Sequence, residues 1–224
     1  MRIVIAGGHG KIALRLERLL SSRGDEVAGL IRDPAQSADL LAAGAQPLVC
    51  DLETASVDTV ARHLTGADAA VFAAGAGPGS GAPRKDSVDR AAQVLFTDAA
   101  ERAGVRRFLS VSALRTELGT DPPPGMDPVF AAYLRAKAAA EEDLRGRTGL
   151  YWTILRPGRL TDEPGTGRVT LGPSVARGDV TRDDVAAVLL ALLDAPATAG
   201  RTLELTGGPT PIPTALAALT GQTR

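Results

Sequence analysis

At 224 residues, with 25 basic against 26 acidic side chains and a formal net charge of −1, the chain is sized for one large domain. It carries no charge excess with which to hold nucleic acid or an anionic membrane surface. The single cysteine, Cys50, excludes an internal disulfide, and the two histidines, His9 and His63, sit in no ligand-spaced cluster, so no metal site is expected.

No signal sequence precedes the first strand, and the longest apolar run, Val185 to Leu193, falls well short of the ~20 residues that span a bilayer. A cytoplasmic protein, a monomer or small homo-oligomer acting on a small molecule, is the expectation. The chain opens on the β-branched run Ile3-Val4-Ile5-Ala6, passes directly into Gly7-Gly8-His9-Gly10, and continues into a helical pattern marked by Ile12, Leu16, Leu19 and Leu20. Glycine admits positive φ and lets backbone N–H groups approach a diphosphate, and the following helix directs its positive end to the same place. Gly7-x-x-Gly10-x-x-Ala13 is a loose pattern in a chain with 25 glycines. Its place between a strand and a helix supports a dinucleotide cradle.

A second strand, Glu26 to Ile31, ends at Arg32-Asp33-Pro34, where the proline starts a helix to about Ala43. A third strand, Gln46 to Cys50, ends at Asp51-Leu52, and Ser56 caps a short helix through His63. The near-continuous apolar run Asp68 to Ala74 suits a central parallel strand. A Gly, Ala and Pro-rich loop, Gly75 to Ala82, leads to a helix from Ser87 to Ala103, then a fifth strand from Val105 to Ser112.

This alternation predicts right-handed crossovers and an α/β, doubly wound parallel sheet of the Rossmann type. Ligands of such sheets bind beyond the strands' carboxyl ends. Gly7, Gly8, His9, Gly10, Lys11 and Ile12, with Arg32, Asp51, Leu52, Ala73, Ala74, Gly75 and Ser110 to Ala113, therefore gather around one crevice.

Leu114 to Pro128, with Pro122-Pro123-Pro124-Gly125, reads as a loop over the site. The next helix, about Val129 to Arg145, carries Tyr133 and Lys137, and a sixth strand, Tyr151 to Leu155, ends at Arg156-Pro157-Gly158. Thr161 to Gly172 is a loop with a short extended piece around Val169. Thr181 and Asp184 form a capping box for a buried helix, and a last strand (Thr202 to Thr206) and helix (Thr214 to Leu219) follow. The expectation is a single domain with substrate-side loops at about 113–129 and 158–180 and a small C-terminal lobe.

Tyr133 and Lys137, four residues apart, share one helix face. A neighbouring ammonium favours the phenolate, which would bring the tyrosine toward acid/base work near neutrality. With two tyrosines and three lysines in the chain, such a pair seldom arises by chance. The chemistry it suits is proton donation to a carbonyl oxygen as hydride reaches its carbon, with Ser112 positioned to hold that oxygen.

Together the glycine turn, Arg32-Asp33-Pro34, Asp51-Leu52, Val111-Ser112, Tyr133-x-x-x-Lys137 and Arg156-Pro157-Gly158 resemble the short-chain dehydrogenase/reductase superfamily. More narrowly, they are similar to its atypical NAD(P)H-binding branch, the NmrA-like and NAD-dependent epimerase/dehydratase-like proteins. The resemblance covers essentially the whole chain. It implies that Gly7, Gly10 and the backbone to Ile12 hold the diphosphate and that Asp51 and Leu52 flank the adenine. It also implies that Lys137 binds the nicotinamide ribose and that Pro157, Gly158 and Leu160 border the nicotinamide.

Arg32 after the second strand suits a ribose 2′-phosphate, so NADP(H) is expected over NAD(H). Two features depart from the superfamily pattern: the chain has no asparagine, which removes that member of the usual catalytic set, and the third glycine is Ala13. The leading expectation is an NADP(H)-dependent oxidoreductase acting on a small carbonyl or alcohol. The alternatives are a non-catalytic NADP(H) sensor with a protein partner, a flavin or quinone reductase, and an epimerase/dehydratase.

Overall fold

The computed structural model describes residues 1–77 and 79–221. Its main sheet has nine strands in the order β11-β8-β10-β6-β5-β4-β1-β2-β3. They are β1 (Arg2–Ala6), β2 (Glu26–Ile31), β3 (Gln46–Val49), β4 (Ala69–Phe72), β5 (Arg107–Val111), β6 (Tyr151–Pro157), β8 (Arg168–Gly172), β10 (Arg201–Gly207) and β11 (Thr210–Pro211). Every pairing from β3 across to β10 is parallel, and β8 and β11 add an antiparallel margin. A separate parallel pair joins β7 (Arg159–Thr161) to β9 (Asp179–Thr181).

Strand alternation divides the core into two layers. Ile3, Ile5, Val71 and Leu109 face α1 (Lys11–Arg23) and α7 (Arg182–Leu193), meeting Leu16, Leu20, Leu189 and Leu192. Val4, Ala70, Phe72 and Phe108 point the other way, toward Val60 and Leu64 of α3 (Val57–Leu64), Phe96 of α5 (Ala92–Arg102) and Leu144 of α6 (Pro128–Arg145). Helices on both faces of a parallel sheet make the fold the expected doubly wound one.

Several boundaries differ from the sequence reading. The helix expected after Pro34 divides into a 3-10 turn, Pro34–Gln36, and α2 (Ser37–Ala42). The helix expected from Ser87 begins earlier, at α4 (Ala82–Arg84), and runs into α5 through a π-helical segment, Lys85–Ala91, that buries Val88 and Asp89. The piece around Val169 is a full strand hydrogen-bonded to β10. The sequence reading missed the β7–β9 pair because each strand has only three residues, too short for an alternation to register. A last helix, α8 (Ile212–Gly221), closes the described chain.

Candidate functional site

Two adjoining cavities open beyond the carboxyl ends of β1, β2, β4 and β5. The smaller, about 300 Å³, is lined by Gly7, His9, Gly10, Arg32, Asp51 and Leu52 among others. The larger, about 1180 Å³, includes Ile12, Val111, Ser112, Tyr133, Lys137, Pro157, Gly158 and Leu160 in its lining. Residues 73–76 line both, so the predicted crevice is one trough of two compartments. At about 1180 Å³ the larger compartment has more room than the small carbonyl or alcohol expected from the sequence would fill. Its walls include the loop after β5 and, from the C-terminal lobe, the segment before β9.

The glycine turn is built for close approach. Gly7 has φ +78°, and a Cβ there would lie 2.6 Å from Ala74 Cα. Gly10 donates to Gly7 O at 2.8 Å and caps α1 without a side-chain acceptor, and no acidic residue occupies the first helical turn. The first-turn N–H groups are thus left for an anion. Gly8 and Lys11 line neither compartment. Gly8 donates to Leu30 O at 2.9 Å and packs on Gly29, whose Cα a Gly8 Cβ would meet at 2.8 Å. Lys11 reaches Asp162 at 2.6 Å. His9 Nε2 is 2.7 Å from Asp39.

At the outer end of the smaller cavity, Arg32 and Arg84 converge on Glu53, at 3.3 and 3.2 Å, and Ser87 donates to the same carboxylate at 2.6 Å. Asp33, the acidic neighbour of Arg32, is engaged as a helix cap, accepting from Ala35 N at 2.9 Å. Asp51 likewise accepts from Glu53 N at 3.0 Å. Sequence reasoning found Arg32 but not Arg84 or Glu53, which reach the site from a helix and a turn that carry no motif.

In the larger cavity Lys137 is buried and donates to the Val111 carbonyl at 3.2 Å and the Ala74 carbonyl at 3.5 Å. Its Nζ also lies 3.3 Å from Oδ1 of Asp89, which is fully buried; Oδ2 accepts from Ala76 N at 3.2 Å. Asp89 escaped the sequence reading. The signal that could have found it is the polar series Asp89, Gln93, Thr97 at helical spacing, all three buried.

Tyr133 stacks on Phe130 with ring centroids 6.0 Å apart, and Lys85 and Lys137 lie 5.5 and 5.9 Å from its ring centre. Burial, then the charge of Asp89, push its phenol above the ordinary value. The expected lowering by Lys137 is therefore not what the site produces: burial first, and then the Asp89 carboxylate, set the direction. Ser112 is 5 % exposed, and its Oγ has no partner among the described residues. A buried hydroxyl in that condition at a cavity wall awaits a ligand oxygen. Gly158 sits so close to Gly178 that a Cβ would fall 2.2 Å from its carbonyl oxygen, which brings the segment before β9 against the end of β6.

A doubly wound sheet with a glycine turn and an uncapped helix end at its switch point defines a dinucleotide-binding protein. The chain matches the NAD(P)H-binding family over residues 7–196 and belongs to it. The uncharacterized sugar epimerase YhfK of Bacillus subtilis is 37 % identical over 96 % of this chain and 99 % of its own length. A candidate NAD-dependent epimerase/dehydratase from Bacillus halodurans superposes with a TM-score of 0.88 at 34 % identity, over 97 % of this chain and 99 % of its own. The anaerobilin reductase ChuY of Escherichia coli O157:H7 superposes with a TM-score of 0.78 at 25 % identity, over 92 % and 97 %. The cofactor is accordingly a nicotinamide dinucleotide. No helix among the described residues is long and apolar enough to cross a membrane.

Proposed function

We propose that the protein is an NADP(H)-dependent oxidoreductase that reduces a carbonyl acceptor bound in the larger cavity. The observation that carries this reading is the shared wall: the unpaired Ser112 Oγ, Tyr133 and Lys137 face the compartment that opens directly into the glycine cradle. The cradle fits the cofactor, since Gly7 has no room for a Cβ and the first turn of α1 offers free N–H donors. A bound nicotinamide dinucleotide supplies hydride.

Around it, Ser112 donates a hydrogen bond to the acceptor oxygen and Tyr133, kept protonated by its surroundings, passes its proton to that oxygen. Lys137, held on the Val111 and Ala74 carbonyls, orients the ribose. Arg32 and Arg84 favour the 2′-phosphate of NADP(H), and Asp33, already spent as a cap, does not compete for a 2′-hydroxyl.

Steady-state oxidation of NADPH across ketones, aldehydes and quinones tests the reading. Tyr133→Phe should lower turnover of carbonyls at least about 100-fold while NADPH binding persists. No oxidation with any acceptor, despite tight NADPH binding, would replace the oxidoreductase with a sensor. The raised phenol and the neutralised Lys137 favour one second reading: a flavin or quinone reductase, whose acceptor needs no tyrosine proton. Turnover that survives Tyr133→Phe selects it.

A further inference from the structure

Six cationic side chains line the larger cavity: Lys85, Arg115, Lys137, Arg159, Arg177 and Arg182. Three are ion-paired with carboxylates, Lys137 with Asp89 at 3.3 Å, Arg182 with Asp162 at 2.9 Å on a carboxylate that Lys11 shares, and Arg159 with Asp179. Lys85 is spent on the Gly77 carbonyl at 2.8 Å and on the Tyr133 ring. The one remaining acid of the lining, Asp127, is occupied as the cap of α6, accepting from Phe130 N at 2.7 Å. Arg115 and Arg177 are left, each without an anionic or carbonyl partner among the described residues, on the segments after β5 and before β9 that both line the compartment.

Arg115 is also the sole non-glycine residue among the described ones with positive φ, at φ 63° and ψ 40°. A left-handed arginine costs about 1 kcal/mol or more, and it is retained here on the turn that leads into Thr116–Gly119. The same lining carries the apolar side chains Leu114, Leu118, Met126, Phe130 and Leu160.

We propose that the larger cavity takes an anionic substrate with a broad apolar body, its acid group held by Arg115 and Arg177. The guanidinium fork matches a planar carboxylate or a sulfonate or phosphate face, while the Leu, Met and Phe side chains cover the body. Neither arginine lines the smaller cavity, so the acid they hold belongs to the substrate and not to the adenine half of the cofactor. This inference rests on reading the larger cavity as the substrate compartment, and its test is independent of turnover.

The experiment is fluorescence titration of the protein saturated with NADP⁺, using 8-anilino-1-naphthalenesulfonate and its neutral counterpart N-phenyl-1-naphthylamine. Arg115→Asn keeps a residue that tolerates the left-handed backbone, and Arg177→Ala is at an exposed position, so both variants should fold as the parent does. Each should weaken the sulfonate about 5- to 10-fold, the double variant more, with the neutral probe and NADP⁺ changed by less than about 2-fold. Equal weakening of both probes, unchanged sulfonate binding, or a loss carried by NADP⁺ instead would overturn the proposal. Charge discrimination in a protein that oxidises no NADPH would leave the anion site standing and remove the reductase reading alone.

Discussion

Lys137 Nζ stands 3.3 Å from Asp89 Oδ1, with both side chains almost wholly out of water. The ammonium is thus paired with a carboxylate before its charge can act on Tyr133, one helical turn away. Two consequences can be measured. Asp89→Asn leaves a buried ammonium with only carbonyl partners and should cost about 3–5 kcal/mol in denaturant unfolding. Lys137→Met in the same chain should recover a large part of it, since the unpaired charge is what costs.

The same pair sets the tyrosine. Burial, and then the charge of Asp89, hold the Tyr133 phenol up, so Asp89→Asn should lower its midpoint by removing the smaller of the two causes. The chain has two tyrosines; in a Tyr151→Phe background the phenolate absorbance near ~295 nm reports Tyr133 alone. An unchanged or higher midpoint would mean that Asp89 does not act on the ring.

Arg32 and Arg84 share Glu53, which keeps two guanidiniums together in the lining of the smaller cavity. Replacing either by alanine should weaken NADPH about 10-fold or more, at about 1.5–3 kcal/mol per charged hydrogen bond, and NADH by no more than about 2-fold. Titration of the two cofactors by fluorescence gives the ratio. Parallel losses for both would take the arginines off the 2′-phosphate.

The fold was legible because its signals are local and periodic. Ile3 to Ala6 read as a strand and Asp68 to Ala74 as a central parallel one, and the glycine turn and Tyr133-x-x-x-Lys137 are short enough to be seen in one glance along the chain. What escaped depends on chain segments that meet only in three dimensions. Asp89 is turned inward by a π-helical segment, its one trace in the sequence being the polar series it forms with Gln93 and Thr97, and Arg84, Arg115 and Arg177 reach the trough from loops and a short helix with no pattern of their own. Neither Gly8 nor the Lys11 side chain lines the trough: the lysine ammonium ties α1 to Asp162, and Gly8 packs against Gly29 of β2.

Two glycines with the same backbone sign should respond differently to alanine. Gly24 has φ +89° and nothing within 4 Å of a Cβ, so Gly24→Ala meets only the left-handed penalty of about 1–2 kcal/mol. Gly7 has φ +78° and would set its Cβ 2.6 Å from the Ala74 backbone, which forces β1 and β4 apart at the cradle. Gly7→Ala should lose more stability than Gly24→Ala and also lose NADPH binding. Equal thermal shifts, with cofactor affinity intact, would remove the cradle from the binding site.

Glu17 lies on α1 beneath the same turn. It is fully buried, neither carboxyl oxygen has a partner among the described residues, and a Cβ on Gly29 would meet its Oε1 at 2.6 Å. Burial raises its pKa from 4.5 to about 8, against a small opposing effect of Arg18. The folded protein therefore holds a proton that the unfolded chain releases between about pH 4.5 and 8. Stability from this group is fully present below the lower value and falls as pH rises through that window, by an amount on the order of 3–5 kcal/mol. Glu17→Gln, neutral throughout, should lose this decline, so that the variant gains on the parent steadily from pH 5 to 8 in denaturant midpoints. Parallel pH profiles for the two proteins would show that Glu17 is ionised in the folded state, with an unseen cation or water beside it.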